Sequence, residues 1–177
     1  MAIPQITMAA PAVAFPGMLS DTGPNNDVVS YTVEATPLSV PIGSVVRQGT
    51  LDDQCLNLAV VATDTLLGIV VHSHAYPSAA LSETDWVGTS GVKTYATVGV
   101  LRKGRIWVLT EEACVPGDPC RIRCVTTAPE VSGVFATTAD ADLLVANSFC
   151  RFLTATTGAG LIEVEVDFTM HKADPLD

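Results

Sequence analysis

Residues 98–110 read VGVLRKGRIWVLT, two apolar, β-prone runs separated by the basic run Arg102, Lys103, Gly104, Arg105. Period-two alternation puts Ile106 and Val108 on one face and Trp107 and Leu109 on the other, the pattern of a strand and not of a helix. Gly104 suits a turn, so the stretch is read as a hairpin: one strand ends near Leu101, the turn uses Lys103 and Gly104, and a second strand follows from Ile106. Both faces of that second strand are partly apolar. One side therefore belongs in the core and the other beneath a further segment or at an interface.

The same pattern recurs on either side. In VVSYTVEATPLSV (28–40), Val29, Tyr31 and Val33 share a face opposite Ser30, Thr32 and Glu34. Pro41 and Gly43 mark a bend before another short strand that Gly49 closes. Between Leu56 and Tyr76, Val60, Val61, Ile69, Val70 and Val71 favour pleated structure and Gly68 would interrupt a helix, which predicts two short strands linked near Asp64. A turn at Pro116–Pro119 leads into a strand with Cys120, Ile122 and Cys124 on one side and Arg121 and Arg123 on the other. A weak strand is expected through Val131–Phe135, and DADLLVANSFC (140–150) is read as a helical turn because Asp140 and Asp142 suit a helix start. GLIEVEVDFTM (160–170) is the last strong strand, with Ile162, Val164, Val166 and Phe168 packed and Glu163, Glu165 and Asp167 solvated or facing basic groups. Short strands punctuated by Gly, Pro and Asn predict an all-β domain, a small antiparallel β-barrel or sandwich.

The first residues differ from the rest. Pro4, Pro11, Pro16 and Pro24 exclude a continuous helix, yet Ile3, Ile6, Met8, Val13, Phe15, Met18 and Leu19 are too apolar for a hydrophilic disordered tail. Such a segment must bury its side chains against the body or against a neighbouring subunit. The chain is accordingly divided into an extended arm (1–27), a β-rich body (28–170) and a short tail (171–177).

Charged residues make up 16% of the 177 residues, against roughly 25% in an average soluble domain, while hydrophobic residues make up 48%. Part of the surface is thus expected to be covered by a partner. The formal charge is −10 and no basic residue precedes Arg47, so there is no positive stripe for direct nucleic-acid contact. No run approaches the roughly 18 apolar residues of a membrane span, and no basic segment opens a secretory signal. Synthesis in the cytosol with five reduced cysteines follows as the expectation.

No constellation compels catalysis, and no cofactor is expected. His72 and His74 would face one side of a strand, with Asp64 able to return from the preceding turn, but no third metal ligand is identifiable and a structural or exposed pair is the simpler reading. Ser73 lacks the flanking glycines of a nucleophile elbow. Cys114, Cys120 and Cys124 are not spaced as paired zinc knuckles and read as buried thiols, with Cys150 a distant possible partner. Glu163, Glu165 and Asp167 in strict alternation describe a polar strand face, not two carboxylates in contrasting environments of a cleft. Glycine-rich phosphate or dinucleotide motifs are absent.

FPGMLSDTGPNNDVVSYTVEA (15–35), PIGSVVRQG (41–49), LLGIVVHSHAY (66–76), VLRKGRIWVL (100–109) and PGDPCRIR (116–123) together resemble the phage capsid cement, or head decoration, protein family. The resemblance implies a non-enzymatic protein on the outer surface of the virion, bound to the major capsid protein, bridging adjacent subunits and strengthening the head, and paired with itself as a dimer or trimer. On this reading the arm residues Ile3, Ile6, Met8, Val13, Phe15, Met18 and Leu19 are candidate capsid contacts. His72, His74, Tyr76, Arg102, Lys103 and Arg105 are candidates for oligomer or capsid contact. The alternative is a head fibre base or a receptor- or glycan-binding module, for which Tyr76, Trp86 and Tyr95 would supply exposed aromatic rings.

Overall fold

The computed structural model describes residues 14–21, 24–34, 40–57, 65–73, 91–92, 94–124, 132–139, 143–146 and 148–170. Its central element is one strand of 14 residues, Thr97–Thr110, the seventh among the described residues and called β7. It runs straight through the stretch expected to fold back on itself. Before it come β1 (Asp27–Val33), β2 (Val40–Pro41), β3 (Val45–Gln48), β4 (Gln54–Asn57), β5 (Leu66–Val70) and β6 (Gly91–Val92). After it come β8 (Arg121–Arg123), β9 (Phe135–Ala136), β10 (Leu143–Val145), β11 (Cys150–Phe152) and β12 (Gly160–Asp167), closed by a 3-10 turn at Phe168–Met170. Among the described residues there is no α-helix.

The first half of β7 belongs to a closed ring. It pairs antiparallel with β1 and with β5; β5 pairs with β3, β3 with β4, and β4 runs parallel to β1. That five-membered path closes a small barrel, which removes the exposed edges that such apolar strands would otherwise present. Val33, Val46, Cys55, Leu67, Val70, Val98 and Val100 fill it, and the β2–β6 pair adds Val40 and Val92 to the same cluster. The barrel is antiparallel apart from the β1–β4 contact.

The second half of β7 leaves the ring and builds another layer. Residues 103–110 pair antiparallel with β12, and β12 with β11. At its end Thr110 meets β9 in parallel, and β9 leads through β8 to β10. Ile106, Val108, Ile122, Phe135, Phe152, Ile162, Val164 and Val166 from this layer pack against Val45, Leu66, Ile69 and Leu101 on the barrel's outer wall. The barrel wall is therefore buried on both sides, and neighbouring residues divide between the two cores: Val46 and Val45, Leu67 and Leu66, Val70 and Ile69, Val100 and Leu101.

Two one-residue bulges make this division possible. Leu101 and Ile106 lie in the same core, although an odd separation on a regular strand would send them to opposite faces. Asp27 pairs with Lys103 and Val28 with Leu101, so Arg102 is the extra residue that restores the face. On β5, Val46 pairs with Gly68 and Arg47 with Leu66, so Leu67 is passed over and Leu67 and Val70 both point into the barrel. Gly68 and Gly104 take φ of 150° and 139°, outside ordinary L-residue geometry.

The hairpin reading of residues 98–110 is thus corrected. The break in alternation at Arg102–Gly104 is a bulge within a continuous strand, since β1 and β12 both arrive at Lys103 and hold the chain extended on either side of it. The helical turn expected in DADLLVANSFC is also corrected: Leu143–Val145 is a strand, because β8 offers an antiparallel partner at Arg121–Arg123. Near the weak strand expected at Val131–Phe135, the strand itself is Phe135–Ala136, with Gly133 N and Val134 O already bonded to the backbone of Arg123. Arg123, expected on a polar face, is 5% exposed and pairs with Glu111 at 2.6 Å. The carboxylate accepts from both Nε and Nη2, which offsets the desolvation of the guanidinium.

A Cβ on Gly68 would lie 2.1 Å from the Leu101 carbonyl oxygen, whereas one on Gly104 would meet the movable Asn26 side chain. Gly68→Ala should therefore lower unfolding free energy by about 3 kcal/mol and Gly104→Ala by about 1–2 kcal/mol, measured by chemical denaturation. Equal costs at the two sites would contradict the close strand approach at Gly68.

Candidate capsid-contact surface

The end of the arm is the first part of the candidate surface, and it docks on the body. Leu19 forms an antiparallel bridge with Ile106 and packs against the larger core. Around it, Gly17 N donates to Trp107 O at 2.7 Å, Trp107 N to Met18 O at 2.9 Å, and Ser20 N to Arg105 O at 3.1 Å. His72 N donates to Gly17 O at 2.8 Å, tying the same segment to the chain leaving β5. These bonds satisfy donors and acceptors along β7 beside Trp107. Ala14 is buried. Residues 17–20 of the same chain therefore extend the sheet along an edge of β7, with Leu19 added to the core on the Ile106 side.

Among the arm candidates, then, Leu19 and Met18 are engaged in the body's own pairing. Phe15 is 36% exposed, with its ring edge-on to His72 at a centroid distance of 4.5 Å. Ile3, Ile6, Met8 and Val13 lie outside the described residues. So do His74, Tyr76 and Asp64, and of the suggested metal group only His72 has a described position. No group of three or more His, Cys, Asp or Glu able to hold a metal ion occurs among the described residues. Tyr95 is 74% exposed in the turn before β7. Trp86, the third aromatic of the glycan reading, is outside the described residues.

Arg102, Lys103 and Arg105 project from the mid-point of β7, where they meet the acidic face of β12 and the start of β1. Lys103 Nζ lies 2.8 Å from Asp167, Arg105 Nε 3.4 Å from Glu165, and Arg102 Nε 4.0 Å from Asp27. Arg151 on β11 also binds Glu165, and Ser20 donates to Glu163 at 2.5 Å. The register Lys103–Asp167, Arg105–Glu165, Trp107–Glu163 produces this ladder, since residues directly opposite on antiparallel strands share a face. Each half had a polar or basic face in the sequence, and aligning them antiparallel from Lys103 would have revealed the complementarity. A partner's ion pairs at this surface would have to compete with these internal ones.

The electrostatic consequence is visible in two ionisations. The hydrogen bond from Lys103, aided by Thr169, holds the Asp167 carboxyl below its usual range, and the same contact raises Lys103. Past the end of β7, burial opposes ionisation of Glu112, but hydrogen bonds from Thr138 and Thr137 outweigh it and hold the carboxyl at about 2.

The model of the family described as "Structural cement protein (E217 gp24/Pam3 gp6)" matches residues 3–167. The chain belongs to the phage structural cement protein family. No curated protein matches it. Among solved structures, a chain of "The capsid of Myoviridae Phage XM1" superimposes with a TM-score of 0.67 at 19% identity, covering 94% of this chain and 98% of that one. At that identity the likeness speaks to the fold, which it shares over almost its whole length. Membership makes the chain a capsid-associated structural protein of a phage, and the all-β barrel architecture accords with it.

Asp167 contributes stability above its unfolded pKa, and that contribution is lost as pH falls through its lower folded pKa. In Lys103→Gln, NMR titration of the Asp167 side-chain carboxyl should show its midpoint moving up towards the ordinary value of 3.8. An unmoved midpoint would show that Lys103 is not the group holding it.

Proposed function

We propose that this structural cement protein binds the exterior of the phage head, bridges adjacent major capsid protein subunits and stabilises the shell, with residues 1–13 as the reaching segment and the barrel as its anchor. The observation that supports this most is the docking of residues 17–20 along β7. Ile3, Ile6, Met8 and Val13 precede a segment fixed to the body by backbone hydrogen bonds at Gly17, Met18 and Ser20. Tension on the arm would pass through those bonds and the Leu19 contact directly into the longest strand of the fold. Phe15, at the edge of this docked segment, continues the apolar line outward.

The energetics suit such a role. Burying an apolar arm side chain against a neighbour contributes about 1.5–3 kcal/mol, partly offset by ordering the chain. A modest single contact becomes firm when many copies engage one particle, and more so if the protein acts as a dimer or trimer. A specific contact of ordinary size would cover about 800 Å² per partner. His72 and the Arg102–Arg105 region are proposed to lie beside that contact, with His74 and Tyr76 as further candidates. Bridging in this manner calls for no bond making or breaking. A glycan-binding role has one observation in its favour, the outward Tyr95.

Two truncations separate arm from anchor. Removing residues 1–13 should reduce occupancy of undecorated expanded heads at least tenfold while leaving the melting temperature of the free protein within a few degrees. Removing residues 1–19 should also lower that melting temperature, because Leu19 and the Gly17 and Met18 hydrogen bonds go with it. Saturable, symmetric binding of the intact chain, with greater resistance of the head to heat, is the expected control. Undiminished occupancy after removal of residues 1–13 would reject the arm's role, and failure of the intact chain to bind heads, with glycan binding retained, would favour the second reading.

A further inference from the structure

The layer built on β7 is open. Its strands run β8, β9, β7, β12, β11 in order, with β10 beyond β8, and its two sides curve towards each other around the larger core. Cys120 immediately precedes β8 on one side and Cys150 opens β11 on the other. Both are buried, and their sulfurs lie 2.9 Å apart. Ordinary non-bonded contact is about 3.5–4.0 Å even between carbons, so this is a close approach, and a disulfide needs the pair to close to about 2.05 Å.

The backbone keeps the two residues in place. Ala146 N donates to Cys120 O and Cys150 N to Ala146 O, both at 2.8 Å, so one residue anchors both thiol-bearing segments. The other three thiols have neighbours of other kinds. Cys55 is inside the barrel, Cys114 has its sulfur 4.0 Å from the Thr110 hydroxyl, and Cys124 has its sulfur 3.6 Å from the Ile122 carbonyl oxygen.

We propose that Cys120 and Cys150 form a latent disulfide site, and that oxidation joins β8 to β11 and closes the second layer covalently. With a small-molecule disulfide as oxidant, one cysteine thiolate attacks it and expels one small thiol, leaving a mixed disulfide on the protein. The second cysteine thiolate then displaces the other small thiol, and the two released thiols carry away the two protons and two electrons. Burial favours the neutral thiol of Cys150, so the reaction proceeds through local opening. The place for that opening is β11, which has three residues and, among the described residues, pairs only with β12. Cys150 also helps line a shallow surface groove with Ser148, Arg151 and Glu165, which gives a small oxidant a short approach.

A chain made in a reducing cytosol would fold with both thiols free and acquire the bond on meeting an oxidising medium. The bond would cross 30 positions of sequence and add a covalent link between the two sides of the layer, which the isolated Cys114–Thr156 bridge and the hydrogen bonds through Ala146 already bring together. This inference stands apart from the capsid reading, because it concerns the isolated chain.

The reduced full-length protein is incubated with oxidised glutathione, quenched in acid, alkylated in denaturant and mapped by peptide mass spectrometry, with thermal melts before and after. The expected result is an intramolecular Cys120–Cys150 bond with Cys55, Cys114 and Cys124 alkylated, and a melting temperature raised by about 5–15 °C that dithiothreitol reverses. Cys150→Ser should show no oxidant-dependent rise; if it fails to fold, the mapping of the unmodified chain decides alone. Five alkylated cysteines after oxidation, a bond to Cys114 or Cys124, a bond between chains, or a Cys120–Cys150 bond without a melting shift would overturn the proposal.

Discussion

A strand that borders two cores must offer apolar groups to both, and β7 meets that constraint through a change of phase. Its first half sends Val98 and Val100 into the barrel, while Leu101, Ile106 and Val108 go to the outer core. Without the extra residue at Arg102, Ile106 and Val108 would face away from Leu101, and the β12 layer would have no core to close over. The matching irregularity on β5 places Leu67 and Val70 inside while Leu66 and Ile69 stay outside. Barrel and second layer thus share a wall, and neither can loosen without exposing apolar groups of the other.

That shared wall also accounts for the surface. Beyond the bulge, β7 turns Arg105, Trp107 and Leu109 outward, and the chain pairs part of the strand's edge with its own residues 17–20. The ion pairs with β12 do for the polar side chains what the arm does for the backbone of β7. Both leave this part of the molecule settled before any partner arrives. A contact made here therefore gains most from apolar groups that are still half-exposed, such as Phe15, and least from basic side chains that already have partners. Exposed ion pairs contribute little to stability individually. Their alignment on facing strands instead favours one register of β12 on β7, since a slip by one residue would break every rung.

Much of the architecture was legible because strands with one packed face announce themselves by alternation. Ile162, Val164 and Val166 are buried as that pattern requires, and so are Ile106, Val108, Cys120 and Ile122. The failures came where one local signal has two long-range solutions. A glycine in a basic interruption serves a hairpin turn or a bulge, and only the arrival of both Asp27 and Asp167 opposite Lys103 selects the bulge. Asp140 and Asp142 suit a helix start, but Leu143–Val145 found a strand partner in β8. Arg123 sits at a position that alternation assigns to water, and its burial depends on Glu111, an acid twelve residues earlier whose pairing no local pattern signals. At the surface, the apolar character of the arm was plain, whereas its division into a docked and an upstream portion needed the hydrogen bonds to Arg105 and Trp107.

The distribution of polar chemistry follows from the same economy of faces. Glu111 is committed to Arg123, Glu112 to the backbone and hydroxyl of Thr138, Glu165 to Arg105 and Arg151, and Asp167 to Lys103 and Thr169. Hydrogen bonds and cations of this kind lower carboxylate pKa values, as they do for Glu112 and Asp167, whereas a general acid at neutral pH needs its pKa raised. These groups join strand to strand and loop to strand, so their chemistry is that of fasteners. In Glu112 and Asp167 the same property that makes the carboxylate a poor proton donor, a preference for its charged and paired form, ties it to the segment that supplies its partners.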